Sequence, residues 1–111
     1  MSLYVLSGII LMKRSWVYIV LCSDGSYYVG STTDLEERII DHNSGKFEGY
    51  TSSRLPVKLL WHCEFSNIRY AFEFERRIKK WTRAKKEALM RGDFDLLHDL
   101  SKSTKMNTKL L

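Results

Sequence analysis

The chain has 111 residues, 44% of them apolar and 13% aromatic, which suits one domain with a modest core. Its formal charge is +5, and between Arg76 and Arg91 eight basic residues stand against one acid, a run that either attracts a polyanion or forms a solvated helical face. Two cysteines, no CxxC pair and three histidines exclude a disulfide framework and a four-ligand Cys/His zinc site, so a reduced, cytoplasmic protein is the default.

Residues 1–14 read as a peripheral N-terminal extension. The apolar run from Leu3 to Met12 is too short, at about ten residues, to span a bilayer. It also lacks the positive flank and small-residue cleavage pattern of a signal peptide, and no membrane partner is expected.

Trp16–Cys22 is rich in β-branched and aromatic residues and predicts a strand. Ser23-Asp24-Gly25 is a turn signal, and Tyr27–Ser31 is the returning strand. Asp34 with Glu37 three residues on makes a capping-box pattern for a helix to about Asn43, stopped by Gly45. On it Leu35, Arg38, Ile39 and His42 share one face. Ser44–Pro56 is a loop. The alternation that follows puts Val57, Leu59, Trp61, Cys63 and Phe65 on one face of a third strand, with only Leu60 out of pattern.

Ser66 or Asn67 can cap a second helix with the stripe Ala71, Phe74, Ile78 and Trp81. Thr82 starts a basic helix that Gly92 closes after Arg91. A short amphipathic turn over Phe94–Leu100 and a frayed tail complete the chain. The expectation is an α/β (α+β) domain over residues 15–92, in the order β-β-α-β-α-α, followed by a short helix and tail over 93–111.

Two tyrosines, Tyr18 and Tyr28, flank the first turn. A two-residue Asp24-Gly25 turn would pair Tyr28 with Leu21 and put the phenols on opposite faces of the sheet. A three-residue loop with Gly25 left-handed would pair Tyr28 with Val20, leaving the phenols diagonal neighbours on one face. Residue types alone favour neither register.

Trp16-Val17-Tyr18 and Tyr28-Val29-Gly30 resemble the paired motif of the GIY-YIG nuclease superfamily, although Trp-Val-Tyr departs from the first half of that name. The likeness continues through Thr32–Arg38, His42-Asn43, Tyr50-Thr51, Leu55-Pro56-Val57 and Ala71-x-x-x-Glu75-x-x-Ile78-Lys79, covering about residues 16–90. It is similar to the small stand-alone bacterial subgroup. An ordered set of Tyr, Tyr-x-Gly, Arg, His and Glu is specific where a lone Tyr…Tyr-x-Gly is not. An asparagine that some members carry after the glutamate helix is missing, with Trp81-Thr82-Arg83 in its region.

The resemblance implies a three-stranded antiparallel sheet flanked by helices, with both tyrosines on one face. It implies phosphodiester hydrolysis with one divalent ion, Mg²⁺ or Mn²⁺, on Glu75, and a nucleic-acid substrate, here taken as DNA, in repair or turnover. Arg38 supplies a fork for phosphate. Tyr18 or Tyr28 positions or deprotonates water, a base role that requires a lowered pKa. His42 relays a proton or is structural, and Gly30 permits close backbone approach or a positive φ. Lys46, Tyr50 and Arg54 of the loop, and Lys79, Arg83, Lys85 and Lys86 of the basic segment, are the candidate nucleic-acid contacts. The alternatives are a non-catalytic nucleic-acid-binding module and a subunit that takes its target from a protein partner.

Overall fold

The computed structural model describes residues 13–110, so the proposed extension lies outside the described residues except for its last two. The described residues fall into two compact units, one ending at Lys79 and the other beginning at Lys80.

The first unit holds strands β1 (Ser15–Leu21), β2 (Tyr27–Thr32) and β3 (Lys58–Phe65), with helices α1 (Leu35–Asn43) and α2 (Ile68–Lys79). The strands form one antiparallel sheet in the order β2-β1-β3, with β1 central. Val17, Tyr18, Ile19 and Val20 of β1 are wholly buried, because each face of the central strand is covered. Asp34 caps α1 by accepting from the Glu37 amide at 3.1 Å, and Asn67 accepts from the Tyr70 amide at 2.9 Å at the start of α2.

The β1–β2 hairpin takes the three-residue loop. Gly25 has φ +85°, its amide donates to the Cys22 carbonyl at 2.9 Å, and the Cys22 amide donates to the Ser26 carbonyl at 2.8 Å. Tyr28 therefore pairs with Val20, and Tyr18 with Gly30.

The third strand departs from the expected alternation. Ile19 pairs with Trp61 but Val20 pairs with Leu59, so Leu60 is the extra residue of a β-bulge. The bulge reverses the facing of everything before it. Leu59 joins Val57, Tyr18, Val20 and Cys22 in one hydrophobic cluster, with Leu35 and Ile39 of α1 packed against it. Trp61 and Phe65 face the other way and meet Phe74 of α2, with ring centroids 6.5 and 5.4 Å apart. The five apolar residues assigned to one face are thus divided between two.

The second unit contains α3 (Arg83–Arg91), capped by Thr82 and closed by Gly92 at φ +72°, and α4 (Phe94–Leu110). The expected short turn and frayed tail are one helix of 17 residues, started by Asp93, whose carboxylate accepts from the Leu96 amide at 3.1 Å. No helix among the described residues is long and apolar enough to cross a membrane.

Candidate active site

Strand β2 lies at the edge of the sheet, and the candidate residues gather around it from both faces. On the α1 side, the Tyr18 ring crosses over Gly30. An ideal Cβ at that glycine would lie 2.5 Å from Tyr18 Cζ and closer still to the hydroxyl. Gly30 has an ordinary strand conformation, so what it provides is room for the ring, not left-handed backbone. Diagonal placement brings the Tyr18 and Tyr28 centroids to 6.5 Å, as the three-residue loop requires.

His42, buried on the inner face of α1, completes the cluster. The Tyr18 hydroxyl lies 2.9 Å from Nε2, and Nδ1 lies 3.0 Å from Thr51 Oγ1. A buried hydroxyl needs an acceptor for its proton. Nε2 is that acceptor when the proton of the neutral imidazole sits on Nδ1 and is donated to Thr51. Burial, then the charge of Arg38, lowers the His42 pKa from its ordinary 6.5 and keeps the ring neutral. Phe47 packs on His42 at 5.4 Å between centroids, and the Arg38 guanidinium lies 4.9 Å from the Phe47 ring.

Burial, followed by repulsion from Tyr28, pushes the Tyr18 phenol up to about 12, against the lowering effects of Arg38's charge and hydrogen bond. A lowered pKa was the condition for a Tyr18 base. Tyr18 does not meet it and is held as a neutral phenol.

Glu75 approaches β2 from the opposite face. Its carboxylate is buried, with Oε1 accepting from Ser31 Oγ at 2.6 Å and Oε2 paired with Lys79 Nζ at 2.8 Å. Ser31 pairs with Val17, one register step from Gly30, and so faces away from the tyrosines. Lys79 touches both layers, its Nζ also lying 5.7 Å from the Tyr28 ring centroid. The hydrogen bond to Glu75 is the largest influence raising the Lys79 pKa.

The loop candidates are tied into the structure. Arg54 pairs with Asp24 at 2.8 Å, donates to the Tyr50 carbonyl at 2.6 Å and covers the Tyr50 ring at 4.0 Å. Tyr50 also stacks on Tyr28 at 6.0 Å. Lys46 makes a looser pair with Asp41 at 3.8 Å. Asn43 bonds both the amide and the carbonyl of Val57, at 2.7 and 3.1 Å, closing the loop that carries Thr51. Arg83, Lys85 and Lys86 belong to the second unit, on α3, where Lys85 lies over the Trp81 ring at 5.0 Å.

Sequence reasoning gave Ser31 and Thr51 no role. A motif read around Tyr28 and Gly30 follows one face of β2, whereas Ser31 serves the other. Thr51 sits in a loop without periodicity. An apolar groove lined by Trp16, Leu35, Ile39, Ile40 and Leu59 contains none of the candidate catalytic residues.

Paired phenols, an arginine, a neutral imidazole and one buried carboxylate thus gather around the edge of a small antiparallel sheet. Residues 14–88 match the GIY-YIG catalytic domain, and the chain belongs to that family, part of the GIY-YIG nuclease superfamily. It is 42% identical over 90 residues to a UPF0213 protein of Bacillus pumilus, covering 78% of this chain and 92% of the relative. It is 47% identical over 73 residues to a UPF0213 protein of Halobacterium salinarum, covering 66% and 95%. A solution NMR structure of a protein from E. faecalis superposes with a TM-score of 0.52 at 37% identity, covering 76% of this chain and 88% of that one.

Proposed function

We propose that the chain is a divalent-metal-dependent nuclease that hydrolyses phosphodiester bonds in DNA, acting in repair or nucleic-acid turnover. The observation that carries this reading is the meeting of Tyr18 and His42 on one side of β2 with Glu75 on the other, linked through Lys79 and Tyr28.

Among the described residues no group of three or more His, Cys, Asp or Glu gathers to cage a metal. One buried carboxylate, leaving most positions to water and phosphate oxygens, fits Mg²⁺ or Mn²⁺, and Glu75 would hold the ion. Bound there, the ion supplies Lewis acidity toward the phosphoryl and leaving oxygens. Ser31 fixes the rotation of the Glu75 carboxylate.

Arg38 grips the phosphate with its permanently charged fork. Tyr18, donating to His42, orients the attacking water as a neutral phenol. The role of base falls to Tyr28, the less buried phenol, whose ring faces the Lys79 ammonium. Lys46 and the α3 residues Arg83, Lys85 and Lys86 contact backbone phosphates, which gives affinity without sequence specificity. Tyr50 and Arg54 support Tyr28 instead of tracking DNA.

The test is cleavage of plasmid, branched, single-stranded and RNA substrates with Mg²⁺ or Mn²⁺, and with chelator. Glu75→Gln and Arg38→Ala should each slow cleavage by about 10²–10³, the usual cost of one preorganised charge-stabilising group, with an unchanged circular-dichroism spectrum. Full cleavage by either variant, or in chelator, overturns the assignment.

A further inference from the structure

The proposed metal ligand already has a cation. Lys79 lies one helical turn beyond Glu75 on α2, and its ammonium is 2.8 Å from Oε2. Ser31 occupies the other oxygen at 2.6 Å, so each carboxylate oxygen has a partner within the protein itself. The Glu75 side chain is 10% exposed and that of Lys79 45%, so the carboxylate is fixed while the lysine has solvent into which it can move. The same ammonium lies 5.7 Å from the Tyr28 ring centroid.

We propose that Lys79 is the resident counter-ion of the metal carboxylate, holding Glu75 Oε2 until a divalent ion takes that oxygen and then turning to the phosphate beside Tyr28. The inference rests on the assignment of Glu75 as metal ligand. Two cations cannot share one carboxylate oxygen without strong repulsion, and the lysine is the mobile one. The ion pair keeps a buried carboxylate from standing uncompensated when the ion is absent. Its displacement puts a free ammonium next to the reacting phosphate when the ion is present. A lysine serving only to end the helix would have no reason to compete with the metal. Lys79 is accordingly a positioning residue toward Glu75 and, once displaced, a catalytic contact to the phosphate.

The test measures Mn²⁺ binding to substrate-free protein, by calorimetry and by the spin-resonance signal of free Mn²⁺, for native protein and for Lys79→Met, Lys79→Arg and Glu75→Gln. Lys79→Met keeps the aliphatic stem and removes the charge. It should bind Mn²⁺ about fivefold more tightly, the worth of a half-exposed ion pair. Lys79→Arg should bind no more tightly than native protein. At saturating Mn²⁺, Lys79→Met should cut DNA more slowly in kcat, because the phosphate loses its ammonium. Unchanged or weaker Mn²⁺ binding by Lys79→Met, with Glu75→Gln losing the site, overturns the counter-ion role and leaves the nuclease reading intact. Native-like binding by Glu75→Gln overturns both.

Discussion

Replacing Gly30 with alanine tests whether the glycine of the motif serves the tyrosine opposite it. The new Cβ would fall 2.5 Å from Tyr18 Cζ. Carbon atoms sit comfortably from about 3.5 Å apart, so the ring must retreat by about 1 Å. Tyr18 is wholly buried within the Val20, Cys22 and Val57 cluster, and its hydroxyl is held 2.9 Å from His42 Nε2, so the retreat strains the packing and stretches that bond. Overpacking costs about 1–3 kcal/mol and the hydrogen bond about 1 kcal/mol. Alanine returns about 0.4–1 kcal/mol by stiffening the unfolded chain. The net loss should be about 1–3.5 kcal/mol, a fall in Tm on the order of 4–28 °C for a domain of this size. Urea unfolding followed by circular dichroism reads it as a lower midpoint at unchanged slope. Repeating the change in a Tyr18→Leu background isolates the cause, because the cost should drop below about 0.5 kcal/mol when the ring is gone. An equal cost in both backgrounds, or none in either, would refute the steric argument.

The unfolded chain protonates histidine near 6.5, whereas folded His42 resists to lower pH. The unfolded state therefore binds more protons as pH falls through 6.5, and stability should decline there. His42→Gln should lose less stability than native protein between about pH 7.5 and 5.5 in urea midpoints. A phenol raised from 10.0 to about 12 gives Tyr18 stability that is complete below pH 10.0 and lost toward 12, and absorbance titration at alkaline pH should show one late tyrosine that Tyr18→Phe removes. Reversing Lys85 and Lys86 to glutamate should weaken DNA binding for every sequence and flatten the slope of log affinity against log salt by roughly 0.9 for each phosphate no longer neutralised. Saturating substrate should restore most of kcat, and an unchanged slope would mark α3 as surface only.

The elements, their order and the caps Asp34, Thr82 and Gly92 were legible because each is written in local chemistry, as side-chain oxygen before a helix and glycine after it. The hairpin was half legible. Ser23-Asp24-Gly25 announces a turn, but two turn lengths fit those residues and only the register separates them. Arg38 and His42 could be placed on one helical face by spacing, whereas their common partner Tyr18 lies on another element and needed the family resemblance. Ser31 left no trace and Thr51 entered only through the Tyr50-Thr51 likeness, without a role, since a serine after a strand glycine and a threonine in a loop are ordinary until Glu75 and His42 arrive. For Arg54 the sequence could not separate two uses, because a basic residue in a loop looks the same whether it waits for phosphate or holds Asp24.

The extra residue at Leu60 works as a half-period phase shift in β3. Ahead of it the apolar beat is in step with the tyrosine layer, through Leu59; beyond it, with the α2 layer, through Trp61 and Phe65. One strand thereby keeps time with two cores at once. Were the same residues strung on an unbroken rhythm, Leu59 and Trp61 would fall on the same side. Either the packing beneath Tyr18 or the seat of the helix bearing Glu75 would then lose its side chain. Removing Leu60 altogether would leave Leu59 and Trp61 on their separate sides, because adjacent residues of a strand already point apart. The two halves of the site are tuned separately, and a single skipped beat keeps both in tune.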